Sequence, residues 1–159
     1  MATVKKEPGV LNQDIIAFLR QDELDYPGGA AKFGKAALPF LTQLINSNDE
    51  NLATKAAYLA GYIDDDSVSD ILQKAAGNNF ATVRIAAAFG AKQMNAKNGQ
   101  VLLDKLLDDN DPGVVKYTIK SAVALNVAKN LKVKINKISK GFADEEIKTM
   151  AGNIMKKMK

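Results

Sequence analysis

Cysteine, histidine and tryptophan are all absent from this 159-residue chain. Without cysteine, disulfides, thiolate metal sites and thiol nucleophiles are excluded. Without histidine there is no imidazole base, and the usual zinc ligand sets cannot form. Acid–base work would fall to Asp, Glu, Lys, Ser and Tyr. Carboxylate pairs such as Asp64/Asp65 sit on a turn, where solvated loop residues are expected. Three aspartates in a row, Asp64–Asp66, lack the alternating ligands, glycine and distal glutamate of a calcium loop. Gly28-Gly29 follows no strand and precedes no lysine-serine/threonine pair, so the P-loop context is missing. The longest nearly apolar stretch, 85–91, is too short to span a bilayer. The first ten residues, MATVKKEPGV, lack the apolar run of a secretion signal. We therefore expect no enzyme activity, no catalytic residue, no cofactor, no metal, no membrane span and a cytoplasmic location.

Proline is scarce, at four, and aromatics make up only 6% of the chain. Alanine, leucine, lysine and isoleucine are abundant, a balance that favours helix. The length suits one domain with a core of useful size. Charge is uneven. Residues 1–115 carry 11 Lys/Arg against 15 Asp/Glu, whereas residues 116–159 carry 11 against 3. The basic C-terminal third could attract an acidic partner, a nucleic acid or a membrane face.

The residues present form a long-period repeat. Lys55, Arg84, Lys116 and Lys148 each follow the first apolar position of a helical pattern, at separations of 29, 32 and 32 residues. Each is preceded by a capping cluster: Asn48-Asp49-Glu50, Asn78-Asn79, Asn110-Asp111-Pro112 and Ala143-Asp144-Glu145. In the third copy Asp111 is a strong N-cap and Pro112 fits a first helical turn. A second helical pattern lies upstream of each: Phe40-Leu41-x-x-Leu44-Ile45, Ile71-Leu72-x-x-Ala75-Ala76, Leu102-Leu103-x-x-Leu106-Leu107, and a weaker copy at Lys134-Ile135-x-x-Ile138-Ser139. Two patterns keeping step through four copies predict a helix–turn–helix unit of about 30 residues.

These units resemble the HEAT-repeat family, in particular its short bacterial, PBS-lyase-type variety. The closest motifs are Val83-Arg84-Ile85-Ala86-Ala87-Ala88 and Asp109-Asn110-Asp111-Pro112-Gly113-Val114-Val115-Lys116, with Pro39 inside a first helix. The likeness runs from Ala30 to the C-terminus. In the last copy Lys134 and Ser139 stand where apolar residues would, which fits a terminal cap. The resemblance implies an all-α, right-handed α-solenoid of about four helical-hairpin repeats with an N-terminal cap helix, as a single domain. Its divisions are 1–29 (leader and cap helix), 30–63, 64–94, 95–126 and 127–159. It also implies a ladder in which Asp111 pairs with Arg84 or Lys116.

Local expectations follow. Residues 1–9 are read as a loose leader, with a cap helix starting at Asn12 or Asp14. Residues 25–29 read as a turn. Residues 30–45 read as a helical region broken near Gly34 and kinked by Pro39. Asp66 or Ser67 should cap the helix that ends near Gly77. Residues 131–140 alternate like a strand at Leu131, Val133 and Ile135, but Val127, Leu131, Ile135, Ile138 and Phe142 keep helical spacing, so helix is chosen.

In the HEAT family the second helices line a concave face. One and five steps after each basic anchor should point outward, which selects Ala56/Ala60, Ile85/Phe89, Tyr117/Ser121 and Thr149/Asn153. Ile85, Phe89 and Tyr117, with Lys120 beside them, form the candidate partner-binding patch. A small rotation of the helices would instead make the apolar members core. The expected function is a non-enzymatic protein–protein interaction scaffold with a preformed concave surface. The alternative is a nucleic-acid-binding protein using Lys129, Lys132, Lys137 and Lys140 as a stripe and Lys156, Lys157 and Lys159 as a tail.

Overall fold

Asp and Asn side chains set five of the helix starts. In a computed structural model that describes residues 8–158, Asp25, Asp49, Asn95, Asp111 and Asp144 each accept a hydrogen bond from a backbone N–H three residues on. Each so satisfies one of the donors that a helix N-terminus leaves unpaired. The helices are α1 (Pro8–Leu19), α2 (Tyr26–Phe33), α3 (Leu38–Ile45), α4 (Glu50–Gly61), α5 (Val68–Ala75), α6 (Ala81–Ala91), α7 (Ala96–Leu106), α8 (Pro112–Ala124), α9 (Lys132–Gly141) and α10 (Glu145–Lys157). Short 3-10 turns, Gly34–Ala37 and Ala128–Leu131, precede α3 and α9. The described residues are all-α, with no strand among them.

No helix here is long enough to be stable alone, so stability must come from packing. Consecutive helices pair: α3 with α4, α5 with α6, α7 with α8, α9 with α10. The second members also stack, α4 on α6 and α6 on α8, with a lighter contact from α8 to α10. Both α1 and α2 rest on α4. One continuous core results, including Ile15, Leu19, Leu41, Leu59, Leu72, Val83, Leu103, Ile119, Ile135 and Ile147.

Hydrogen bonds tie each pair to the next at separations of 28 to 33 residues. Asn78 Nδ2 donates to the Ile45 carbonyl, Thr54 to the Thr82 hydroxyl, and Thr82 to Glu50. Lys105 donates to the Gln73 carbonyl, Asn130 to Gln100, and Lys134 to the Asp104 carbonyl. Small residues allow close approach between α4 and α6. A Cβ at Gly61 would stand 3.0 Å from Gly90 Cα.

Several local expectations are corrected. Residues 26–29 are not a turn but the first turn of α2, with Asp25 as cap and Pro27 where a missing N–H costs nothing. Gly29 lets the Phe18 ring pack close there, since a Cβ would stand 2.5 Å from that ring and force it to shift. The break does fall at Gly34, which has φ +60°, but Pro39 does not kink a helix. It lies in the first turn of α3. The helix α1 begins at Pro8, ahead of Asn12. Ser67 stands at the cap position of α5, but its side chain makes no capping bond: its backbone N–H and hydroxyl both donate to Asp65. Residues 132–141 are helix, with Ile135 and Ile138 buried and Val133 exposed. Asn126, at φ +62°, ends α8, and the Val127 N–H reaches back to the Ala122 carbonyl in a Schellman arrangement. The predicted leader residues 1–7 and Lys159 lie outside the described residues.

Candidate partner-binding surface

Stacking α4, α6 and α8 side by side aligns one side chain from each into a row, and α2 extends it. The Tyr26 and Tyr58 rings have centroids 5.6 Å apart, Tyr58 and Phe89 are also 5.6 Å apart, and Phe89 and Tyr117 are 4.9 Å apart. Tyr62, one turn beyond Tyr58, stacks on Tyr26 at 6.2 Å with the planes within 4°. The rings are tilted rather than sandwiched for the most part, as ring quadrupoles prefer. Tyr26, Tyr58, Phe89 and Tyr117 are half-buried and Tyr62 is exposed. Five of the ten aromatic residues of the chain thus make one surface.

The tyrosine end of the row resists ionisation. Burial pushes Tyr26 up to about 12, with further repulsion from Tyr58 and Tyr62. Tyr58 is raised as well, first by burial and then by Tyr117 and Tyr62. A shallow pocket opens over Tyr26 and Tyr58, rimmed by Glu50, Asn51, Thr54, Lys55 and Thr82. At the other end the row carries cations. Lys92 Nζ sits 4.6 Å from the Phe89 centroid, and Lys120 Nζ 5.4 Å from the Tyr117 centroid. With Ser121 and Ala124 they line a cleft between α6 and α8.

The four residues picked from sequence do not all lie together. Phe89, Tyr117 and Lys120 meet at this cleft. Ile85 is half-buried and faces α8, where a Cβ at Gly113 would be 3.1 Å from its Cδ1. The expectation that the first and fifth positions after each anchor point outward is corrected. Ala56 and Ala60 are 0% exposed and Ser121 only 3%, while Thr149 and Asn153 are exposed. The Ile85 contact shows the reason on α6: this face of the helix turns toward α8. Tyr26, Tyr58, Tyr62 and Lys92 escaped the sequence reading. The i, i+4 spacing of Tyr58 and Tyr62 was the available signal, but Tyr58 lies three steps after Lys55 rather than one or five.

The ladder prediction is also corrected. Arg84 pairs with Asp109 at 2.7 Å, and Lys116 with Glu146 at 3.0 Å. Asp111 is engaged in capping Val114. The Glu146 carboxylate raises the Lys116 ammonium above the usual lysine range. Lys129, Lys132, Lys137 and Lys140 are exposed. Among the described residues no group of three or more acidic side chains is placed to hold a metal ion. No helix among them is long and apolar enough to cross a membrane. No family model matches the chain, and no curated protein matches it significantly.

Proposed function

We propose that this chain is a non-enzymatic, cytoplasmic protein–protein interaction module: a right-handed α-solenoid of four HEAT-like helical pairs, α3/α4 to α9/α10, capped by α1 and α2. The support for the architecture is the packing of like helix on like helix, with hydrogen bonds recurring about one repeat apart. The observation that carries the function is the aromatic row from Tyr26 to Tyr117. Its rings rest on rigid helices and are held by each other, so a partner segment would meet a preformed surface and little ordering entropy would be lost. Tyrosine suits such a role, since it offers a large apolar face and a hydroxyl at low entropic cost.

The test is affinity capture with the wild-type chain and with a Tyr62→Ser/Tyr117→Ser variant as paired baits. The expected result is a retained protein that the variant loses while its helical circular dichroism is unchanged. Identical retention by both baits would end the reading.

A second reading, nucleic-acid binding, is favoured by the exposed lysines Lys129, Lys132, Lys137 and Lys140 on and before α9. Phosphate contacts of that kind would give affinity that falls steeply with salt and ignores sequence. A gel-shift assay at two salt concentrations decides it, and absence of a shift at the lower one rejects it.

A further inference from the structure

The two ends of the aromatic row differ in charge, and the difference selects a ligand. At the α6/α8 cleft, Lys92 and Lys120 have ring contacts but no carboxylate partner among the described residues. Three other cations do have carboxylate partners: Arg84 on α6 with Asp109, Lys116 on α8 with Glu146, and Lys134 on α9 with Asp104 and Asp108. Ser121, almost fully buried, also lines the cleft. The cleft therefore offers two ammonium groups without carboxylate partners around an apolar lining of Phe89, Tyr117 and Ala124.

The same geometry disfavours a nucleobase. A base stacks on a free ring face. Here the Phe89 and Tyr117 rings pack on each other, and each carries an ammonium group beside it. A carboxylate needs only those ammonium groups, and an apolar side chain needs only the apolar lining. Resting on the interaction-module reading above, we propose that the occupant is an acidic peptide segment of a partner protein. One apolar side chain packs against the exposed edges of Phe89 and Tyr117 and against Ala124, and flanking carboxylates reach Lys92 and Lys120. The rest of the segment runs along Tyr58 toward Tyr26. Glu50 and Lys55, of opposite sign, stand at that end, so the charge preference belongs to the α6/α8 end.

The probe is a displayed library of random dodecapeptides selected on the folded chain. Enriched peptides should combine Asp or Glu with a large apolar residue, and should bind about tenfold or more weakly to a Lys92→Glu/Lys120→Glu variant. Both lysines are exposed, so that variant keeps its fold, which circular dichroism checks. Selection on the charge-reversed variant should enrich lysine or arginine instead. Peptides that require Tyr117 but show no acidic preference, and bind both proteins equally, overturn this inference and leave the interaction module standing. A library from which nothing enriched depends on the row overturns both. A labelled oligothymidine that competes for the cleft would also overturn the inference, in favour of nucleic acid.

Discussion

Arg84 reaches from α6 across to Asp109 in the loop before α8. Its Nε and Nη2 donate to the two carboxylate oxygens at 2.7 and 3.3 Å, and its Nη1 donates to the Asn78 and Asn79 carbonyls. Asp109 also accepts from the Asp111 N–H at 2.9 Å. One guanidinium thus ties the loop before its own helix to the loop before the next. Side-chain exposure is only 19% for Arg84 and 12% for Asp109. Arg84→Ala strands a mostly buried carboxylate and should cost about 2–3 kcal/mol. The shift in denaturation midpoint measures it. A loss below about 0.5 kcal/mol would place the pair with surface ion pairs of little worth.

Asp111 has a different task, and the two aspartates should separate cleanly. It caps α8 through the Val114 N–H at 3.0 Å. Asp111→Ala should cost about 1 kcal/mol, and Asp111→Asn only a few tenths, because asparagine caps as well as aspartate. Asp109→Asn, in contrast, should lose most of the Arg84 interaction. Equal losses for the two asparagine variants, read from denaturant titrations, would refute this division of roles.

Two glycines should respond in opposite senses. Gly61 faces Gly90 Cα at 3.0 Å from an added Cβ, and backbone cannot step aside. Gly61→Val should destabilise by about 1–3 kcal/mol through overpacking. Gly152, inside α10, has nothing within 4 Å of an added Cβ. Gly152→Ala should stabilise by about 0.5–1 kcal/mol, since the helix interior then loses less backbone entropy on folding. Thermal melts of the two variants on either side of wild type are the expected outcome.

Alkali should weaken the fold through Tyr26. Its folded-state value is raised from 10.0 to about 12, so above pH 10 the unfolded chain releases its proton first. The unfolded state is then favoured. The stability attached to neutral Tyr26 is intact below pH 10 and is lost as pH climbs through about 12. Tyrosinate absorbance, followed with denaturation across that window, reads both effects. Tyr26→Phe should lessen the stability loss and reduce the late-titrating absorbance, leaving the contribution of Tyr58. A wild-type chain whose tyrosines all ionise together near 10 would contradict the burial of this ring.

The helical pairs were legible because their causes are local. A cap such as Asp111, a proline such as Pro112 and an apolar stripe such as Leu102-Leu103-x-x-Leu106-Leu107 act within one or two turns, and they read the same in the linear chain as in the fold. Gly34 announced its break for the same reason. Pro27 and Pro39 misled because proline's meaning depends on position: in a first turn it costs nothing, and inside a helix it breaks a bond.

What the chain alone determined, then, is that it makes paired helices at a period of about 30 residues, with no thiol or imidazole chemistry. What surface those helices share was decided only in three dimensions. Ala56 and Phe89 both lay on positions expected to face outward, yet one is fully buried and the other belongs to a half-open row. Which face a helix shows depends on how closely its neighbours approach. That distance is set jointly by residues far apart in sequence, such as Gly61 with Gly90 or Arg84 with Asp109. Tyr26, Tyr58, Phe89 and Tyr117 come from four different helices, and no local rule connects them until those helices stack.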